Sequence, residues 1–305
     1  MDGTRSSATM VAAAARVGTN VDGKYKIRSI LGVGGMGIVY EAEHLFLGRS
    51  VALKVIHPRY ADTHDAVSRF LNEARAAGAI GHRAIVQVMD AGFLDGTTPY
   101  LVMEKLEGET LDERITRRNG VRVVQAAMML REIMRGLGAA HAKGIVHCDL
   151  KPANVVLVGR KIAVGTVKVL DFGISRITKQ PQAKQGESVM GTPLYMAPEQ
   201  VKGAEVTSST DLFAAGVVIY EALTGRPPFD GGGKVEVFVH ILRDPPPAIV
   251  GKRELVPHDF GDLVLSLMAK APEDRPASAN DVVKAIDAMG VVPGVGPGMS
   301  TSVKR

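Results

Sequence analysis

Residues 147–154 read His147-Cys148-Asp149-Leu150-Lys151-Pro152-Ala153-Asn154, and further on the chain reads Asp171-Phe172-Gly173. Here a carboxylate, an ammonium and two more oxygen-bearing side chains are set among apolar residues. Asp149 can accept a hydroxyl proton. Asn154 and Asp171 are hard oxygen ligands of the kind Mg2+ takes alongside phosphates. Lys151 can neutralise a phosphoryl group in transfer. Downstream come Gly191-Thr192-Pro193, Ala197-Pro198-Glu199, Asp211 and Arg275. Each alone reads equally well as a turn, a cap or an ion pair. Coincidence does not produce all of them in this order and spacing.

Upstream lies Gly32-Val33-Gly34-Gly35-Met36-Gly37, a G-x-G-x-x-G, followed by the strand-like Ile38-Val39-Tyr40-Glu41-Ala42-Glu43. A dinucleotide fold needs a helix at that point, and no G-K-[ST] follows as in a Walker A loop. A glycine-rich turn between two strands suits a flap over phosphates, because backbone N–H groups can approach oxygens where side chains are absent. It also reads as an ordinary hairpin. Val51-Ala52-Leu53-Lys54 ends an apolar strand on a lysine, which is costly there unless paired. Glu73, bordering the apolar face of the next helix, is its candidate partner.

Composition narrows the class. The chain has 305 residues, 46% hydrophobic and 23% charged, which excludes wholesale disorder, a fibrous chain and a disulfide scaffold. Cys148 is the only cysteine, so no intrachain disulfide forms and a reducing, cytoplasmic setting is expected. No stretch of about 18 apolar residues encodes a membrane span. The net charge of +5 is thinly spread, with Arg117-Arg118 and Lys252-Arg253 as its densest pairs. A mildly basic solvated surface is expected, and no nucleic-acid partner.

The pattern changes once, near Glu107-Gly108. Before it, 25–31, 38–43, 50–56, 86–91 and 100–103 read as strands. One helix interrupts them, with Val67, Phe70, Leu71, Ala74 and Ala77 on a single face. After it, Ala126, Met129, Leu130, Ile133, Met134, Leu137 and Ala140 mark a long amphipathic helix. Residues 211–223 read as a buried central helix, and Leu263, Val264, Leu267 and Met268 mark another. Residues 1–22 are expected to be a flexible leader and 291–305 a Gly/Pro-rich tail. An α+β architecture follows, a small β-rich lobe before a larger helical one.

Together these residues resemble the eukaryotic-like serine/threonine protein kinases, and GVGGMGIVYEAEH is most similar to their bacterial members. The resemblance runs from about Tyr25 to Met289. It implies a bilobal protein-kinase fold over 23–290, with an N-lobe of about 23–106 and a C-lobe of about 107–290. It implies ATP with Mg2+ or Mn2+, and protein substrates; the oligomeric state stays open. By the resemblance, Gly32, Gly34 and Gly37 cover the phosphates. Lys54 grips the α/β-phosphates and pairs with Glu73. Met103 is the gatekeeper, Glu104 and Leu106 offer backbone groups to adenine, and Val39, Ala52 and Val156 sandwich the ring. Asp149 matches the catalytic base and Lys151 the phosphate-contacting lysine. Asn154 and Asp171 match the metal ligands, and Glu199 with Arg275 a buried structural ion pair. Lys151 two residues after the base, and Thr192 bridging Asp149 and Lys151, follow the serine/threonine pattern.

Three departures stand out. Cys148 occupies a position where most members carry arginine, which normally meets an activation-segment phosphate; Arg176 and Arg69 match other members of that basic pocket. Phe213 replaces a tryptophan- or tyrosine-like position. The span from Asn154 to Asp171 is a few residues longer than is common, and is expected to lengthen a surface β-turn. The leading expectation is an active ATP:protein serine/threonine phosphotransferase. The alternative is a nucleotide-binding signalling scaffold with little turnover, whose mark would be a missing Lys54, Asp149 or Asp171. A small-molecule kinase fits less well, because residues 191–199 form a complete protein-substrate docking segment.

Overall fold

The computed structural model describes residues 10–11, 13–34, 37–57, 60, 64–159, 166–172 and 193–292. The side chains of residues 64–66, 69 and 73 lie outside that description. The chain divides into two units. The first comprises residues up to 81 together with 86–107, and the second comprises 82–85 together with the chain from 108.

The first unit is a six-stranded antiparallel sheet in the order β1-β2-β3-β4-β6-β5. Its strands are β1 (Asn20–Val21), β2 (Tyr25–Val33), β3 (Gly37–His44), β4 (Arg49–Ile56), β5 (Val88–Leu94) and β6 (Thr98–Glu104). Strand alternation sorts the side chains. Ile38, Tyr40, Ala42, Val51, Leu53, Val55, Tyr100 and Val102 pack together in one buried cluster. The opposite face carries Ile56 and Leu101, against which Phe70 and Ala74 of α1 (His64–Ile80) pack. The apolar stripe of α1 is therefore what attaches it to the sheet.

The expected leader differs from the structure in its second half. Ala13 and Val21 are buried in the core with Tyr40. Gly18 N–H donates to Ile27 O at 2.9 Å and Ile27 N–H to Thr19 O at 3.0 Å. This segment covers an apolar sheet face that would otherwise meet water. Its small residues give no periodicity, so the sequence pattern does not announce the contact. Residues 1–9 and 293–305 lie outside the described residues.

The second unit is built around α5 (Ser208–Thr224), buried from Thr210 to Thr224. Thr207 starts it, its hydroxyl accepting from Ser209 N–H at 3.3 Å. Around it lie α2 (Leu111–Arg118), α3 (Val123–His141), α4 (Pro198–Lys202), α6 (Lys234–Arg243), α7 (His258–Leu267) and α8 (Ala279–Ala288). A second sheet, in the order β7-β8-β9, joins β7 (Gly108–Thr110), β8 (Val155–Val158) and β9 (Val167–Val169). Residues 160–165, inside the expected long turn, lie outside the described residues. The α+β class, with a β-rich unit and a larger helical one, agrees with the expectation. Among the described residues, no helix is long and apolar enough to cross a membrane.

Candidate active site

In the first unit, register places the expected nucleotide residues on one sheet face. Val39 pairs with Lys54, and Ala52 pairs with Glu41 and Met103. Val39, Ala52, Lys54 and Met103 thus point to the side opposite Tyr40, Leu53 and Val102. Lys54 is buried, at 7% exposure, so its charge must be met by polar groups. Its expected partner Glu73 lies on α1, but the side chain of Glu73 is outside the described residues.

The glycines serve two different needs. A Cβ on Gly37 would sit 2.4 Å from Val55 O, so the β3–β4 approach admits only glycine. A Cβ on Gly32 would meet nothing within 4 Å, so that position is open beside the turn. Gly34 N–H donates to Gly37 O at 2.8 Å and closes the turn; Gly35 and Met36 lie outside the described residues. At the end of β6, Glu104 N–H already donates to Gln87 O at 3.0 Å. The Glu104 carboxylate accepts from Gln87 N–H at 2.8 Å, and Leu106, two residues on, is half-buried.

In the second unit, the 147–154 loop is held by a buried carboxylate. Asp211 lies in the first turn of α5 with 0% exposure. It accepts from His147 N–H at 2.8 Å and Cys148 N–H at 2.9 Å, and His141 Nε2 lies 2.7 Å from its Oδ2. Between these anchors Cys148 adopts φ 64°, the left-handed region, which costs an L-residue roughly 1–2 kcal/mol. The Cys148 carbonyl accepts from Gln200 Nε2 at 2.9 Å. His147 packs on Phe172 with ring centroids 4.6 Å apart, and its Nε2 lies 2.8 Å from Leu170 O. The loop geometry is thus set by Asp211, Gln200 and Phe172 together.

This frame presents Asp149 to solvent. Lys151 Nζ donates to Asp149 Oδ2 at 2.7 Å. Asn154 Nδ2 donates to Asp149 O at 2.9 Å, which leaves the Asn154 side-chain oxygen as its acceptor. Leu170 N–H donates to Asn154 O at 2.8 Å, bringing Asn154 beside the backbone that carries Asp171. One neutral and one anionic hard oxygen donor fit a divalent cation. Asp171 itself has φ 46°. Val156 is buried on β8. Gly173, Arg176 and Thr192 lie outside the described residues.

Glu199 and Arg275 form the expected buried pair. Arg275 donates to the two Glu199 oxygens at 2.8 and 2.9 Å, and Thr210 Oγ1 donates to Oε1 at 2.8 Å. Burial pushes the Glu199 carboxyl up, but the hydrogen bonds from Arg275 and Thr210 outweigh it and hold the group below its ordinary value. Sequence reasoning gave Asp211 no role and left out His141 and Gln200. The available signal was an acid in an otherwise apolar helix, which must be buried with partners.

Residues 25–285 match the protein kinase domain family. The chain is 43% identical over 263 residues to the serine/threonine-protein kinase Pkn1 of Myxococcus xanthus, covering 84% of this chain and 37% of that one. It is 35% identical to PrkC of Bacillus subtilis, over 87% of this chain and 40% of that one. It is 35% identical to PknA of Mycobacterium tuberculosis, over 90% and 63%. The chain thus spans 37% to 63% of the length of these relatives. Among solved structures, the PknI kinase domain of Mycobacterium tuberculosis superposes with a TM-score of 0.69 at 26% identity, covering 90% of this chain and 98% of that one.

Proposed function

The chain belongs to the protein kinase family, and from that premise we propose that it transfers the ATP γ-phosphate to serine and threonine hydroxyls of proteins, its own included. The observation that carries this reading is the fixed loop around Asp149, with Lys151 2.7 Å away and Asn154 tied to the same backbone. Asp149 accepts the proton of the incoming hydroxyl. Lys151 stands beside it to meet charge on the group in transfer. Lys54 orients the α/β-phosphates from the sheet face that Val39, Ala52 and Met103 share. Glu104 and Leu106 offer backbone groups to adenine, and Val156 covers the ring. Thr192 bridges Asp149 and Lys151, and Glu73 orients Lys54.

Asn154 and Asp171 would hold Mg2+ or Mn2+, which supplies charge neutralisation to the phosphates when bound. Catalysis of this kind is mainly positioning and charge stabilisation, with turnover of roughly 1–100 per second. Lys54, Asp149 and Asp171 are all present, which favours turnover over a scaffold role. By the family resemblance Cys148 takes the place of an arginine, and a thiol cannot relay an activation-segment phosphate to Asp149. Basal activity is therefore substantial, and control lies in placement of α1, in partner binding or in sequence outside this chain. A single cysteine, with no intrachain disulfide to form, suits a reducing compartment such as the cytoplasm.

The test is incubation with γ-labelled ATP, Mg2+ and a serine/threonine-rich protein, followed by phosphoamino-acid analysis. Label on serine and threonine supports the proposal. Nucleotide binding without any transferred label supports the scaffold instead.

A further inference from the structure

Away from the nucleotide residues, three guanidiniums of the second unit converge on one buried carboxylate. Glu132 lies on α3 with its side chain 1% exposed. Arg83 Nη2 donates to both its oxygens at 3.2 Å. Arg131 Nη1 donates to Oε1 at 3.4 Å, and Arg135 Nη1 lies 3.8 Å from the same oxygen. Arg131 is also committed to Asp287, at 2.5 and 3.1 Å. Three guanidiniums therefore share two carboxylates, Glu132 and Asp287. Lys168 Nζ reaches Ile85 O at 3.5 Å, on the same 82–85 segment as Arg83.

A structural ion pair needs one cation for its acid, and crowding three arginines has a cost. Burial lowers the pKa of Arg135, and the charge of Arg131 lowers it further. Two of the three also face outward. The side chain of Arg83 is 50% exposed and that of Arg135 36% exposed. Among the described residues, the bonds of Arg83 to protein acceptors leave from Nη2 alone, so Nε and Nη1 remain available in the planar fork that matches phosphate oxygens. His82 adds a neutral donor. Its Nδ1 accepts from Ala84 N–H at 3.2 Å, so the neutral ring carries its proton on Nε2.

We propose that Arg83, Arg135 and His82 form a binding site for a phosphate monoester dianion, with Glu132 holding the two guanidiniums in place. Phosphoserine or phosphothreonine in a protein, and a free phosphate-bearing metabolite, share this chemistry. The site is independent of phosphotransfer. It has a built-in reporter: burial and the charges of Arg83, Arg135 and Lys168 depress the pKa of His82, against the raising effect of Glu132. A dianion held among these groups must raise it.

The experiment uses the full chain, saturated with a non-hydrolysable ATP analogue so that the nucleotide residues are occupied. Inorganic phosphate and a phosphoserine peptide, with its unphosphorylated counterpart, are titrated by calorimetry. The His82 imidazole resonance, assigned through His82→Gln, is followed against pH with and without phosphate. The expected results are a rise in the His82 pKa and a loss of about tenfold in affinity in each of Arg83→Gln and Arg135→Gln. Arg83→Lys, which keeps the charge and loses the fork, should retain part of the affinity, and covers the case in which Arg83→Gln does not fold. A peptide preference of about tenfold or more assigns the site to phosphoproteins, and equal affinity assigns it to free phosphate. No binding up to about 50 mM phosphate, an unmoved His82 pKa, or affinity unchanged in both glutamine variants overturns the proposal.

Discussion

Replacing Asp211 by asparagine changes almost no volume and removes the charge that holds the 147–154 loop. The carboxylate has two oxygens, which accept from His147 N–H at 2.8 Å and Cys148 N–H at 2.9 Å. An amide offers only one oxygen, so its NH2 must face one of those two N–H groups. A hydrogen bond to a charged group contributes roughly 1.5–3 kcal/mol, and an orphaned buried donor adds a penalty of similar size. Partial relaxation of the loop reduces that sum, so Asp211→Asn should cost about 2–3 kcal/mol. For a chain of this size that corresponds to a fall in Tm of about 3–5 °C. The effect on rate should be about as large as the effect on stability. Cys148 sits at φ 64° immediately before Asp149, and the two N–H bonds keep it there. Losing one lets Cys148 relax and moves Asp149 off its position, where displacements near 1 Å cost about a hundredfold in rate. The assay pairs thermal unfolding with phosphate transfer per folded molecule at saturating ATP. A variant with Tm within about 1 °C of the parent and a rate within about twofold would refute the clamp.

Three further outcomes follow from the geometry. Arg275→Met leaves Glu199 buried with Thr210 as its remaining side-chain donor, and should cost about 3–5 kcal/mol by urea unfolding; a loss under about 1 kcal/mol would mean the pair contributes little. Gly37→Ala puts a Cβ 2.4 Å from Val55 O; the strands must part, costing about 1–3 kcal/mol, and KM for ATP should rise more than kcat falls. Lys270 donates to Ile241 O at 2.7 Å and lies 3.9 Å above the Phe229 ring, and burial lowers its pKa to about 8. The folded state therefore binds fewer protons than the unfolded chain between about 8 and the ordinary 10.5, so stability should rise with pH across that window. Lys270→Met should flatten the rise, and an unchanged pH profile in that variant would show that Lys270 is not its source.

Much of this arrangement is legible in the chain. Alternation locates β2 to β6 to within a few residues, and the stripe through Val67, Phe70 and Ala74 locates α1. The motif spacing marks Asp149, Asn154 and Asp171 before any coordinates. The missed parts have physical reasons. β1 has two residues and exists only through its pairing with β2. Residues 13–19 are held by backbone bonds and one buried alanine, which leave no pattern. β7, β8 and β9 are too short for alternation to count. The role of Asp211 depends on a contact across 63 and 64 positions, which no local window contains. Glu73 lies on α1 as the pattern predicts, and its side chain is outside the described residues.

The central claim is that Asp149 is the base in a phosphoryl transfer for which this loop is built. Its most direct test is the single-turnover rate of transfer from saturating ATP to a serine/threonine protein substrate, comparing the parent with Asp149→Asn. Nucleotide affinity is measured on the same samples. The account predicts equal ATP affinity and a rate lower by about 10²–10⁴-fold in the variant. A rate within about threefold of the parent, with ATP bound equally well, would contradict it.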